Sequence, residues 1–275
     1  MHRASVFLLA LAIPLSHPFL FTGDELLIKK IVLGPPIYQH SSPYPRDVYA
    51  GILPHHAPLT FPLIASFYRD LARSGAGIDT FVVLGPDHFN RASDEIVLSD
   101  RAFETPFGIL RNDARLGKKI IAAHIGRIDR APFEKEHAIH SHTAFIKKYF
   151  PRARIVPILF HASASLQSAE ALGVLLSKNN KKKIFLVGSI DFSHYRKATD
   201  ARPIDERSAR LLRTLDERNV QFIDADSPAA LAALLRFVRA VPGVQFLDSH
   251  VYNTADFSSN SLSTTGYIIG VFGRP

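Results

Sequence analysis

The sequence predicts an α/β fold: a central, mostly parallel sheet covered by helices on both faces. Two observations carry this. Val48–Leu53 and the segments 80–84, 155–160, 184–188, 244–247 and 267–272 are apolar nearly throughout, as strands buried on both faces are. Between most of them lie stretches whose apolar residues recur at helical spacing. A chain of 275 residues, 47% hydrophobic and 21% charged, can bury the core that such a single domain needs.

The chain opens with Met1-His2-Arg3 and an apolar run from Ala4 to Leu15, weakening through Phe21. A short basic start before about a dozen apolar residues has the form of an export signal. Pro14, Ser16, His17 and Pro18 interrupt the run, whereas a spanning helix needs about 20 apolar residues. Residues 1–22 are therefore expected to be an export signal or marginal membrane anchor, placing the protein outside the cytoplasm or at a membrane. The alternative is a cytoplasmic protein with a buried amino-terminal segment. Residues 23–47, with Gly34-Pro35-Pro36 and Ser41-Ser42-Pro43-Tyr44-Pro45, read as a linker, and 48–275 as the α/β domain.

Within that domain Val48–Leu53 is a strand closed by Pro54, and Thr60 caps a helix with Phe61, Ile64, Phe67, Tyr68 and Leu71 on one face. Strand 80–84 is closed by Gly85-Pro86. A helix starts near Glu136 and runs towards Tyr149, and strand 155–160 follows Pro151. Segment 168–178 is helical, strand 184–188 comes next, and 207–215 is again helical. Ser227-Pro228 opens a helix through Leu231, Leu234, Leu235 and Val238, with serine as cap and proline in the first turn. Strands 244–247 and 267–272 complete the pattern.

The net charge of +8 is scattered, and its densest run, Lys181-Lys182-Lys183, falls in a turn. No RNP motif, zinc finger or aromatic-interleaved basic stripe accompanies it, so nucleic acid is not an expected partner. The chain has no cysteine, which removes disulfides, thiolate ligands and a cysteine nucleophile.

Four of the strands are each followed within a few residues by histidine: His55-His56, Asp87-His88, His161, and Asp191-Phe192-Ser193-His194. Ligands of open α/β sheets bind beyond the carboxyl ends of the strands, and imidazoles delivered there can converge on a metal. Two histidines and a carboxylate with open positions suit non-haem iron(II). Spacing alone leaves open whether these are ligands or surface residues. In the run Glu134–His142, Glu136 or His137 suits a general acid or base at a helix start, whereas His140 and His142 are expected to be solvated.

Leu53-Pro54-His55, Gly85-Pro86-Asp87-His88, Thr105-Pro106-Phe107-Gly108, Glu136-His137-Ala138-Ile139, Ile155-Val156-Pro157-Ile158-Leu159, Asp191-Phe192-Ser193-His194-Tyr195 and Thr264-Thr265-Gly266-Tyr267 occur in the order seen in Memo proteins. Over about 49–272 the chain resembles that family, also called AmmeMemoRadiSam system protein B. The resemblance implies a fold and pocket like those of class III extradiol ring-cleaving dioxygenases. It makes His55, His88 and His194 pocket histidines, Asp191 the pocket aspartate, and Glu136 and His137 a functional pair. It implies metal binding by the first two histidines, with iron or copper.

Family members often add a cysteine to the metal site, and here there is none. The third ligand is then expected to be Asp191 or His194, with His250 a weaker candidate. Such a harder donor set favours iron(II), with zinc or copper as alternatives and copper(I) disfavoured. His56, Asp87, Tyr195 and His250 are expected around the ligands, and His137, Glu136 and His194 to move protons. The function so implied is a metal-dependent, dioxygenase-like oxidoreductase on a small substrate. The alternatives are a non-catalytic module binding a peptide or anion, and a zinc-assisted hydrolase with Glu136 as base. Loops 90–103 and 248–263 are expected to wall the pocket.

Overall fold

The computed structural model describes residues 15–16, 22–33, 44–179 and 183–275, so the expected signal or anchor over 1–22 lies almost wholly outside the described residues. Nine strands form one sheet: β1 Val48–Leu53, β2 Thr80–Pro86, β3 Ile96–Leu98, β4 Arg127–Ile128, β5 Arg154–Phe160, β6 Ile184–Ser189, β7 His194–Arg196, β8 Gln245–Asn253 and β9 Thr264–Gly273. The spatial order is β8-β9-β1-β6-β2-β5-β3-β4, with β7 on the side of β9. The four central strands β1, β6, β2 and β5 are mutually parallel. Antiparallel pairings flank them, β9 on β1 and β8 on β9 at one side, β3 on β5 at the other.

Among the described residues seven α-helices cover the sheet: α1 Thr22–Leu33, α2 Phe61–Arg73, α3 Ala114–Ala122, α4 His137–Tyr149, α5 Leu166–Lys178, α6 Ala198–Leu212 and α7 Pro228–Arg239. Because successive strand residues point to opposite faces, uninterrupted apolar strands feed two cores at once. Val82 and Leu84 join a core with α3, α5, α6 and α7, whereas Phe81 and Val83 join one with α1, α2 and α4. Both faces are covered, as the composition of the strands requires.

Several elements depart from the sequence reading. Part of the expected linker is α1, where Leu27, Ile28, Ile31 and Val32 pack on the second core and Lys29 pairs with Glu25 at 2.8 Å. The helix read at 207–215 begins at Ala198 and continues through Pro203. The next-to-last strand runs on to Asn253. Thr60 stands at the start of α2 but makes no side-chain cap, its hydroxyl donating instead to the His56 carbonyl. Ser227 does cap α7, accepting from the Ala230 amide at 3.3 Å.

The late glycine motif has a steric cause. Asp205 of α6 is fully buried and accepts from the Ser193 amide (3.1 Å) and hydroxyl (2.9 Å). Its carboxylate lies where a Cβ on residue 266 would stand, so only glycine fits. Gly266 in turn exchanges backbone hydrogen bonds with Phe192 and Ser193 at 2.8 and 2.7 Å. The segment carrying Asp191 is thereby sewn to β9.

Burial raises the Asp205 pKa to about 6, against the opposing pull of the Ser193 hydrogen bonds. The folded state therefore holds this proton to higher pH than the unfolded chain, whose aspartates ionise near 4. Stability must fall as pH rises from about 4 to about 6 and level off above. In urea titrations across that range, Asp205→Asn should gain on the native protein as pH rises. A pH-independent difference between the two would contradict the assignment.

Candidate metal centre

The carboxyl ends of the parallel strands lie at one edge of the sheet, and the turn after β1 carries His55 there. His55 is 1% exposed and pinned on every side. Its amide donates to Asp191 Oδ1 (3.1 Å), its carbonyl accepts from Ser141 Oγ (3.1 Å), and its Nδ1 meets Ser189 Oγ at 3.1 Å. Nε2 faces two carboxylates, Asp226 Oδ2 at 3.1 Å and Asp191 Oδ2 at 3.8 Å. Burial opposes a charge on this imidazole, but Asp191, Asp226 and Glu136 outweigh burial and raise its pKa to about 9. Burial and the nearby Asp226 raise Asp191, and His55 pulls it back.

His88 follows β2 and is held by Glu136, the residue that caps α4. Glu136 is fully buried; its Oε1 accepts from His88 Nδ1 (2.8 Å) and the Ala138 amide (2.9 Å), and its Oε2 from the His88 amide (3.0 Å). Burial works against the ionised form, yet the His88 hydrogen bond and charge lower the Glu136 pKa overall. A carboxylate only accepts, so His88 carries a proton on Nδ1 and turns Nε2 towards the site. α4 can come this close because residue 85 is glycine: a Cβ there would lie 2.8 Å from that of Ala138.

His137, at the first position of α4, stacks on His88 with ring centroids 4.2 Å apart and planes 25° apart. The His55 ring stands edge-on to both, at 4.9 Å from His88 and 5.2 Å from His137. Burial, then His55 and His88, lowers the His137 pKa to about 4, so it is neutral at physiological pH.

Among the described residues two groupings place possible ligand atoms within 4.8 Å of one another: His55, His88 and His137, and His55, Asp191 and Asp226. Asp226 Oδ2 also lies 3.9 Å from His88 Nε2, which links the two. The fit to a cation has one further support. Asp226 Oδ1 is buried without a hydrogen-bond partner, so this carboxylate keeps acceptor capacity that a cation can fill. The His/Asp group can hold a metal ion.

The family model described as "Memo-like protein" matches residues 36–234. The chain belongs to the Memo family. It is 29% identical over 211 residues to a MEMO1 family protein of Pyrobaculum aerophilum, covering 72% of this chain and 74% of that one. A MEMO1 family protein of Methanopyrus kandleri is 26% identical over 241 residues, covering 82% of this chain and 83% of the other. An uncharacterized Escherichia coli K12 protein of known crystal structure aligns over 80% of this chain and 99% of its own, at 14% identity and a TM-score of 0.45.

In this Memo chain His55, His88, Glu136, His137 and Asp191 gather at one point. His194 is in neither grouping, because the Ser193–Asp205–Gly266 joint turns the chain into β7, where His194 pairs with Thr265. His250 lies on β8 with Nε2 3.1 Å from Asp248 Oδ1, and it too is outside both groupings. His56 points aside, its Nδ1 2.7 Å from the Tyr267 hydroxyl. Tyr195 is 88% exposed. Asp87 is buried and secures its turn by accepting from the Ala92 amide at 2.6 Å.

His140 and His142, expected in solvent, are buried, because α4 packs against both α2 and the sheet and every residue from Ala138 to Ile146 is covered. Asp226 is absent from the sequence reading. The available signal was its place directly before the Ser227-Pro228 helix start: a helix returning to a parallel strand begins at the strands' carboxyl edge.

Beside His88 and Asp226 opens a cavity of about 320 Å³, walled by the turns after β2 and β5 and by the start of α7. Asn90 is its one contribution from the loops expected to form the walls. His161 lines this cavity rather than the ligand cluster.

Glu136→Ala would leave three donors without acceptors and should cost roughly 3 kcal/mol. His137→Ala, at a side chain 42% exposed, should cost less than about 1 kcal/mol. Urea denaturation in the presence of a chelator measures both, and similar losses would contradict the buried anchoring of His88.

Proposed function

We propose that this Memo protein is a metal-dependent, dioxygenase-like oxidoreductase, with iron(II) held by His55, His88 and Asp226. The observation that carries the reading is the position of Asp226 Oδ2, 3.1 Å from His55 Nε2 and 3.9 Å from His88 Nε2. Two imidazoles and one carboxylate on one side of an ion, with positions left open, form the donor set of non-haem iron(II) oxygenases. Asp226 replaces Asp191 or His194 as the third ligand in this reading. One Asp191 oxygen is engaged by the His55 amide and the other is farther from Nε2. With imidazole and carboxylate in place of thiolate, the set is hard and disfavours copper(I).

When bound, the iron supplies Lewis acidity and one-electron chemistry towards oxygen. The remaining work belongs to the chain. Neutral His137 is partly open to solvent and can take a proton from a substrate hydroxyl. Glu136 orients His88 instead of acting as a base, because both its oxygens are occupied. The adjoining cavity suits a small molecule, and neither lysine nor arginine is among its described lining residues. That lining weighs against an anion-binding module.

Anaerobic reconstitution tests the proposal. About one iron(II) per chain should bind and be lost in His55→Ala, His88→Ala and Asp226→Ala. Oxygen uptake with small aromatic diols should depend on that iron. Absence of any bound first-row metal would overturn the reading, and selective retention of zinc would favour hydrolysis.

A further inference from the structure

Ser189, the last residue of β6, lies at the centre of a buried polar chain that the proposed chemistry leaves unexplained. Its hydroxyl is 2.6 Å from the Ala138 carbonyl, 3.1 Å from His55 Nδ1 and 3.0 Å from His142 Nε2. His142 Nδ1 lies 3.2 Å from the Tyr68 hydroxyl. Ser189, His142, His55 and Tyr68 are all essentially inaccessible to solvent.

The proton positions follow from counting donors and acceptors. A serine hydroxyl has one proton and two lone pairs. The Ala138 carbonyl can only accept, so the Ser189 proton points there. Both imidazole nitrogens facing Ser189 must then donate, filling both of its lone pairs. His55 is thereby protonated on Nδ1, and its other nitrogen, Nε2, is the one that faces Asp226 Oδ2. His142 is protonated on Nε2, and its Nδ1 accepts from the Tyr68 hydroxyl. Every polar atom in the chain is satisfied in this arrangement, and moving one proton would leave a buried group unpaired.

We infer that Ser189, backed by His142 and Tyr68, is a positioning residue that locks His55 in the Nδ1-protonated form and presents Nε2 to the site. Glu136 does the same for His88 by a different device, an anion instead of a hydroxyl. The inference rests on the reading of His55 as a ligand, but the proton positions can be measured without it. Residues that orient metal-bound histidines typically change metal affinity about 10- to 100-fold when removed.

The test compares the full-length protein with Ser189→Ala, Ser189→Thr and Tyr68→Phe. Zinc affinity is measured by dye competition, and histidine proton positions by ¹⁵N NMR. Ser189→Ala should bind zinc about 10- to 100-fold more weakly, whereas Ser189→Thr, which keeps the hydroxyl, should restore binding. Tyr68→Phe should lower the melting temperature without moving the affinity, which separates positioning from a merely structural role. Native affinity in Ser189→Ala, or a zinc-loaded His55 carrying its proton on Nε2, would overturn the inference. If the native protein binds no zinc, the metal-free spectra decide the relay. A His142 proton on Nε2 that is lost in Ser189→Ala sustains it, and a proton on Nδ1 overturns it.

Discussion

Two carboxylates meet in the interior of this protein, and that encounter governs the rest of the site. Asp191 and Asp226 are joined through their own backbones: the Asp191 amide donates to Asp226 Oδ2 at 3.2 Å, and the Asp226 amide to the Asp191 carbonyl at 3.0 Å. Each buried anion carries a desolvation cost of several kcal/mol, and two together also repel. A positive charge must stand between them. His55 Nε2 is in that place, and a protonated imidazole there supplies the charge. The raised pKa of His55 and the proposed affinity for a cation are thus two expressions of one electrostatic demand.

Meeting that demand requires precise placement, which explains the close approaches in the fold. α4 must pass over β2 closely enough for Glu136 to reach His88 and for Ser141 to reach His55, hence the glycine at position 85. The Asp191 segment must be tied to β9, hence Asp205 and the glycine at position 266. His55 and His88 are fixed at both backbone and ring, whereas His137 rests on ring stacking and one long contact to Glu136 at 3.5 Å. The least constrained imidazole is therefore the one with freedom to exchange protons with a bound molecule.

The elements whose pattern is binary were legible in the sequence. Uniformly apolar strands, the Ser227-Pro228 helix start and the delivery of His55 and His88 to one edge of the sheet follow from periodicity and from where ligands bind in α/β folds. What escaped depends on tertiary placement. His140 and His142 look like solvated residues because α4 carries polar side chains on a buried face, and only the packing of α2 and the sheet reveals that this face is covered. Asp226 stands at a helix start and not at a strand end, where ligands of α/β sheets are expected first. His194 has the right spacing from β6, yet the Asp205 joint carries it into β7.

The cysteine-free composition has a structural counterpart in Asp226. Its position at the amino end of α7 places the carboxylate where the unpaired amides and the helix dipole favour negative charge, by up to about 1 kcal/mol. The helix stabilises the anion from one side and His55 from the other. In the proposed reading this carboxylate is the third donor, in place of a thiolate.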